Sequence, residues 1–248
     1  MIDKIKQTSL LLLGLILSCP LSVSADTGPW YQFEVLVFQR IAPGAGSTES
    51  WKADPGTPSQ VGAAYLSRGP ALVNNKPVAY RTLPAEKRVL NGAWGVMRRS
   101  RDYRPLYHVA WRQQVKSPNQ AKPIYFSLKP KNGAPVSDTN PPLLEGTIKF
   151  GIKRYLHLET DIILRKTIND SQPDDSDGYR YGPTIRSYRM QDSRRMRSGK
   201  LHYLDHPVLG VLAIAKRYKM PAPVVEKPLQ PEEPSLTPAN EPQTTPGG

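Results

Sequence analysis

GTIKFGIKRYLHLETDIILRK, residues 146–166, alternates apolar and polar side chains over a longer run than any other stretch of the chain. Ile148, Phe150, Ile152, Leu156, Leu158, Ile162 and Leu164 share one parity, while Lys149, Lys153, Tyr155, His157, Glu159 and Asp161 share the other. Successive side chains of a strand point to opposite faces, so a period of two held this long predicts a half-exposed antiparallel strand, bent or broken near Gly151. The fold must then contain a sheet with one buried face and one wet face.

Four other segments supply strands. WYQFEVLVFQR, residues 30–40, is aromatic, β-branched and apolar on both parities, which predicts a strand buried on both sides. LYHVAWRQQV, after Pro105, sets Tyr107, Val109 and Trp111 against His108, Arg112 and Gln114. TIRSYRMQDSRRMRSGKLHYLDH reads as a hairpin turning near Ser198 and Gly199, followed by the apolar strand VLGVLAIAKRY. Between the strands, residues 41–60 are dense in Gly, Pro and Ser and read as a long surface loop, and residues 169–178 read as a polar loop.

One helix is expected. Thr82 is a cap candidate with Pro84 in the first turn, Leu90, Trp94 and Met97 fall at i, i+4 and i+7, and Arg98, Arg99 and Arg101 suit the negative end of a helix dipole. The expected architecture is α+β, an antiparallel-rich sheet with one major helix packed on one face; the order strand, helix, strand is compatible with a ferredoxin-like start.

The two ends of the chain differ from its middle. Residues 1–25 join Lys4 and Lys6 to an apolar run and end in Val23-Ser24-Ala25, the pattern of a cleavable signal peptide. The competing reading, a lipoprotein signal acylated at Cys19, is disfavoured by Pro20. Cys19 is the only cysteine, so the exported chain has no disulfide or thiolate metal site and must rest on a buried core. Residues 221–248 hold eight prolines, four glutamates and no aromatic residue, and read as a disordered tail. One globular domain, 26–220, remains.

That domain is strongly basic. The whole chain carries +13, of which the signal segment holds +1 and the tail −3, leaving +15 on the domain. Export makes nucleic acid an improbable partner for that charge and anionic envelope polymers a natural one. No transmembrane segment is expected after signal removal.

The blocks WYQFEVLVFQR, YRPLYHVAWRQ, GTIKFGIKRYLHLETDI and MRSGKLHYLDHPVLGVLAI, in that order, resemble the CsiV family of periplasmic peptidoglycan-binding proteins. The loop after Arg40 and the proline-rich tail lie outside the resemblance. It implies a periplasmic location, peptidoglycan as the ligand, a penicillin-binding protein or its outer-membrane lipoprotein activator as a protein partner, and a role in wall synthesis and cell shape without catalysis. An alternative is an envelope protein-interaction factor regulating a wall synthase without recognising the wall itself; a third is a cell-wall hydrolase. The resemblance brings no binding residues with it.

Candidates for ligand contact therefore come from the residues. His202, Asp205 and His206 suggest a metal or acid/base cluster, but on a strand the histidines lie roughly 13 Å apart, too far for one ion. Asp205 is better explained as accepting backbone N–H bonds at a strand end, with Pro207 fixing the turn. Parity suggests a second constellation. If the strands share one sheet, His108 and Arg112 face the same way as Lys153, Tyr155 and His157, giving a platform of cations, donors and aromatic surface for a glycan with peptide carboxylates. Arg186, Arg189, Arg194, Arg195 and Arg197 form the densest basic stretch. No nucleophile elbow or phosphate-binding loop is present, and no catalytic residue, metal or cofactor is expected.

Overall fold

The computed structural model describes residues 28–42, 50–52, 54–129, 135–137, 140–173 and 179–221. The expected signal peptide lies outside these residues, as does the expected disordered tail beyond Pro221.

Among the described residues eleven strands form two main sheets and one small hairpin. They are β1 (Trp30–Arg40), β2 (Ala64–Tyr65), β3 (Leu72–Val73), β4 (Lys76–Pro77), β5 (Tyr103–Gln114), β6 (Ile124–Leu128), β7 (Leu144–Ile152), β8 (Leu156–Pro173), β9 (Tyr179–Met196), β10 (Leu201–Asp205) and β11 (Leu209–Arg217). The four-stranded sheet has the order β10-β11-β1-β5 and the five-stranded sheet the order β2-β6-β7-β8-β9. Every neighbouring pair is antiparallel except β2 with β6. Among the described residues one α-helix forms, α1 (Asn91–Arg99), and no helix is long and apolar enough to cross a membrane. The α+β expectation stands in its coarse form, with the antiparallel content divided between two sheets.

The main core lies between the sheets. Phe33, Val35 and Val37 of β1 and Trp111 of β5 meet Ile148, Phe150, Leu158, Ile162 and Leu164 from β7 and β8. Phe33 stacks on Phe150 at a centroid distance of 4.0 Å, and Tyr107 on Phe126 at 4.5 Å, so aromatic rings bridge the two layers. The other parity of β1 enters a second cluster, where Leu36 and Phe38 join Leu90, Trp94 and Met97 beneath α1. β1 is thus buried on both faces, as its composition requires, and the layers run helix, sheet, sheet.

Several expectations need correction. Residues 146–166 form two strands, β7 and β8, joined by Lys153, Arg154 and Tyr155, with Ile152 opposite Leu156. A three-residue connection leaves both arms in phase, so the hairpin carries the alternation of one unbroken strand. The turn near Ser198 and Gly199 forms, with Gly199 at φ +76°, but β9 and β10 do not pair. β9 completes the five-stranded sheet and β10 pairs with β11 in the other, so this turn is where the chain changes layer. Residues 169–173, expected in a loop, belong to β8. A ferredoxin-like start would make the strands flanking the helix parallel, whereas β1 and β5 are antiparallel neighbours.

The helix also begins later than the cap signals suggest. Pro84 precedes a single 3-10 turn, Ala85–Lys87, and α1 starts after Leu90 without a side-chain cap from the preceding residue. The two N–H groups just before it are met from β1 instead. Glu34 accepts the backbone N–H of Val89 and of Leu90, each at 2.7 Å. A cap borrowed from a strand 55 residues away leaves no local sequence mark.

Candidate functional site: a polar groove on the outer sheet face

On β7, β8 and β9 the residues of odd number point away from the core, and hydrogen-bonded register sets them in rows. Thr147, Asp161 and Gln191 make one row, and Lys149, Glu159 and Ser193 make the next. Ser59 and Val61, together with Pro118, Asn119, Ala121 and Pro123, border these rows and complete the lining of an open groove of about 1030 Å³. Its floor is sheet and its lining is rich in hydroxyls, amides and paired charges, groups that both donate and accept hydrogen bonds.

Internal contacts fix the floor. Lys149 Nζ lies 2.6 Å from Glu159 Oε2. Arg189 grips both oxygens of Asp161 at 2.7 Å each and donates a third bond to the carbonyl of Pro55 at 2.6 Å, tying the loop before β2 to the sheet. The hydrogen bonds to Asp161 raise the Arg189 pKa further above its ordinary value. Gln191 and Ser193 are exposed on the groove floor. Beyond one end of the rows, Tyr125 donates to Glu145 at 2.6 Å and Arg165 pairs with the same carboxylate at 2.6 Å. Burial, then the Glu145 carboxylate, pushes the Tyr125 phenol up to about 12.

The opposite end of the same face is the β7–β8 turn, where three of the expected contact residues lie. His157 is opposite Arg195 in the register, two residues from Glu159 on the same face. Tyr155, 37 % exposed, carries the Arg195 guanidinium 3.4 Å above its ring. Lys153 is exposed in the turn itself. The sequence thus located this end of the surface but missed Thr147, Gln191 and Ser193. Lys149, Glu159 and Asp161 were visible as polar parity, yet only the register of β9 against β8 shows which residues join them.

The remaining expected residues lie elsewhere, because β5 and β8 are in different sheets. The condition for a common platform is not met. His108 is buried under α1, its Nε2 2.7 Å from Glu34 Oε1 and its ring stacked on Trp94 at 5.6 Å. Glu34 is 1 % exposed. Burial raises its pKa, but the His108, Val89 and Leu90 hydrogen bonds outweigh that and hold the carboxyl below its usual range. Glu34, inside the first strand block, was not singled out from sequence, since one acidic residue in an apolar strand gives no sign of its partners. Arg112 lies further along β5, stacked on Tyr218 at 4.1 Å.

His202, Asp205 and His206 have separate partners. His202 Nε2 accepts the Arg197 N–H at 2.9 Å, securing the layer-changing turn. Asp205 accepts hydrogen bonds from Arg40 and from the Tyr203 hydroxyl rather than from backbone N–H groups. The strand-end turn is made by His206, whose Nδ1 accepts the Val208 N–H at 3.2 Å, with Trp51 packed on its ring at 5.1 Å. Burial lowers the His206 pKa, which suits an acceptor nitrogen.

No curated protein and no solved structure matches the chain significantly. A family model described as "Peptidoglycan-binding protein, CsiV" matches residues 8–217, which contain both sheets, α1 and the groove. The chain belongs to the CsiV family of peptidoglycan-binding proteins.

Proposed function

We propose that the protein is a non-enzymatic periplasmic adaptor that seats a peptidoglycan glycan strand in the groove on β7, β8 and β9 and supports wall synthesis and cell shape alongside a penicillin-binding protein or its outer-membrane lipoprotein activator. The observation that carries this reading is the pair of polar rows, Thr147-Asp161-Gln191 and Lys149-Glu159-Ser193, on the floor of one open groove. Extended polymers fit open grooves, and hydroxyl and amide side chains exchange hydrogen bonds with sugars without the cost of burying an unpaired charge. Lys153, Tyr155 and His157 extend the surface, adding an ammonium group, a phenol and an imidazole that suit stem-peptide carboxylates.

Binding fits this groove better than hydrolysis. A glycosidase acts with two carboxyl groups, one as acid and one as base or nucleophile. Here both Asp161 oxygens are taken by Arg189, Glu159 is paired with Lys149, and the third lining carboxylate, Asp192, accepts the backbone N–H of Ser193. Incubation with purified sacculi tests the reading: the protein sediments with the wall and releases no soluble fragments. Released muropeptides would replace the adaptor with a hydrolase, and protein left in the supernatant would favour a purely protein-directed factor.

A further inference from the structure

A second groove, of about 530 Å³, lies on the α1 side of the four-stranded sheet, and its charge differs from that of the first. Its charged lining residues are Arg68, Lys87, Arg88 and Arg112, with no carboxylate among them, and Leu72 and Leu83 contribute apolar wall. Arg88 is fixed by bonds to the carbonyls of Leu83 and His108, so its charge is held in place. Arg112 is braced by the Tyr218 ring, yet its Nε is buried and has no hydrogen-bond partner among the described residues. Cations held beside one another with no carboxylate in the lining favour an incoming carboxylate, which takes charge-assisted hydrogen bonds from them.

We infer that this groove binds a carboxylate of a wall stem peptide, as a contact separate from the glycan seat. The inference rests on the peptidoglycan-binding reading, and charge selects the peptide: the cations call for an anion, and the neutral sugar face offers none. The apolar wall suits the methyl groups of alanine residues. One segment also lines both grooves, through Ser59 and Val61 in the first and Arg68 and Leu72 in the second. Seven residues of chain, from Val61 to Arg68, reach at most about 25 Å, which bounds the distance between these two parts of the lining.

Titration of the exported chain with the stem tripeptide L-alanyl-γ-D-glutamyl-meso-diaminopimelate, and separately with chitotetraose, tests this. Arg112→Gln weakens tripeptide binding about tenfold and leaves chitotetraose binding unchanged. Arg68→Gln, at an exposed position whose loss cannot unfold the domain, acts in the same direction. Unchanged tripeptide affinity in both variants overturns the inference, as does a wild-type chain that holds sacculi but not the tripeptide. A wild-type chain that fails to hold sacculi removes the wall-binding reading itself, and the inference with it.

Discussion

Glu34 shows how one residue connects three elements. Its carboxylate lies in β1, pairs with His108 of β5 and receives the N–H groups of Val89 and Leu90, just before α1. Glu34→Gln keeps the shape but removes the charge, and is expected to cost about 3 kcal/mol at pH 7 in urea unfolding, in the range for breaking a buried pair. The sign of the pH effect follows from the lowered pKa of Glu34. A carboxyl depressed in the folded state stabilises above its unfolded pKa and loses that contribution as pH falls through the folded value. The gap between wild type and variant should therefore be full at pH 7 and narrow below about pH 4. A gap that stays constant to pH 3 would place the stabilisation in packing rather than charge. At this scale the sequence showed the apolar stripe Leu90, Trp94 and Met97 but not the buried acid above which it docks, because periodicity reports faces and not long-range partners.

Among the elements, the β7–β8 hairpin decides where the groove forms. Gly146 permits it: a Cβ there would stand 2.5 Å from the Asp161 carbonyl and 2.8 Å from Ile162 Cα, both backbone atoms of β8 that cannot turn aside. Gly146→Ala should cost about 2–3 kcal/mol, as overpacking does, and weaken sacculus binding by pushing the Thr147-Asp161-Gln191 row apart. Thermal unfolding and sedimentation of the same sample check both halves; an unchanged midpoint would mean that β7 and β8 accommodate the methyl group. The hairpin was legible in outline, since the alternation identified the buried face residue by residue. A bend or break near Gly151 was expected, but the in-phase return of Leu156 after Ile152 hid that the chain reverses there. The turn at Gly199 was legible as a turn, but nothing local distinguishes a hairpin from a crossing between sheets, which depends on β10 pairing with β11. The β3–β4 hairpin could have been read: Asn74 and Asn75, at φ +48° and +58°, are the residue type that a tight hairpin turn favours.

For the whole molecule, stacking two sheets separates surfaces that parity alone would merge. His108 and Arg112 lie on the helix side, whereas Tyr155, His157 and the polar rows lie on the outer face of the other sheet. The wall-binding family and the strand content could be read from the sequence, but the groove could not, because its floor comes from three strands and its walls from loops between others. The basic domain will draw the protein to an anionic wall from any direction, an attraction screened beyond about 8 Å at physiological salt. A specific seat must persist when that attraction is screened. The decisive measurement is sacculus affinity in 0.5 M NaCl for the double variant Gln191→Ala, Ser193→Ala, set against Arg98→Ala on the last turn of α1 as control. Two lost hydrogen bonds predict affinity about tenfold or more below wild type for the groove variant and no change for the control, with both unfolding midpoints unaltered. Equal affinity of the groove variant and wild type under these conditions would contradict the assignment of the polymer to this face.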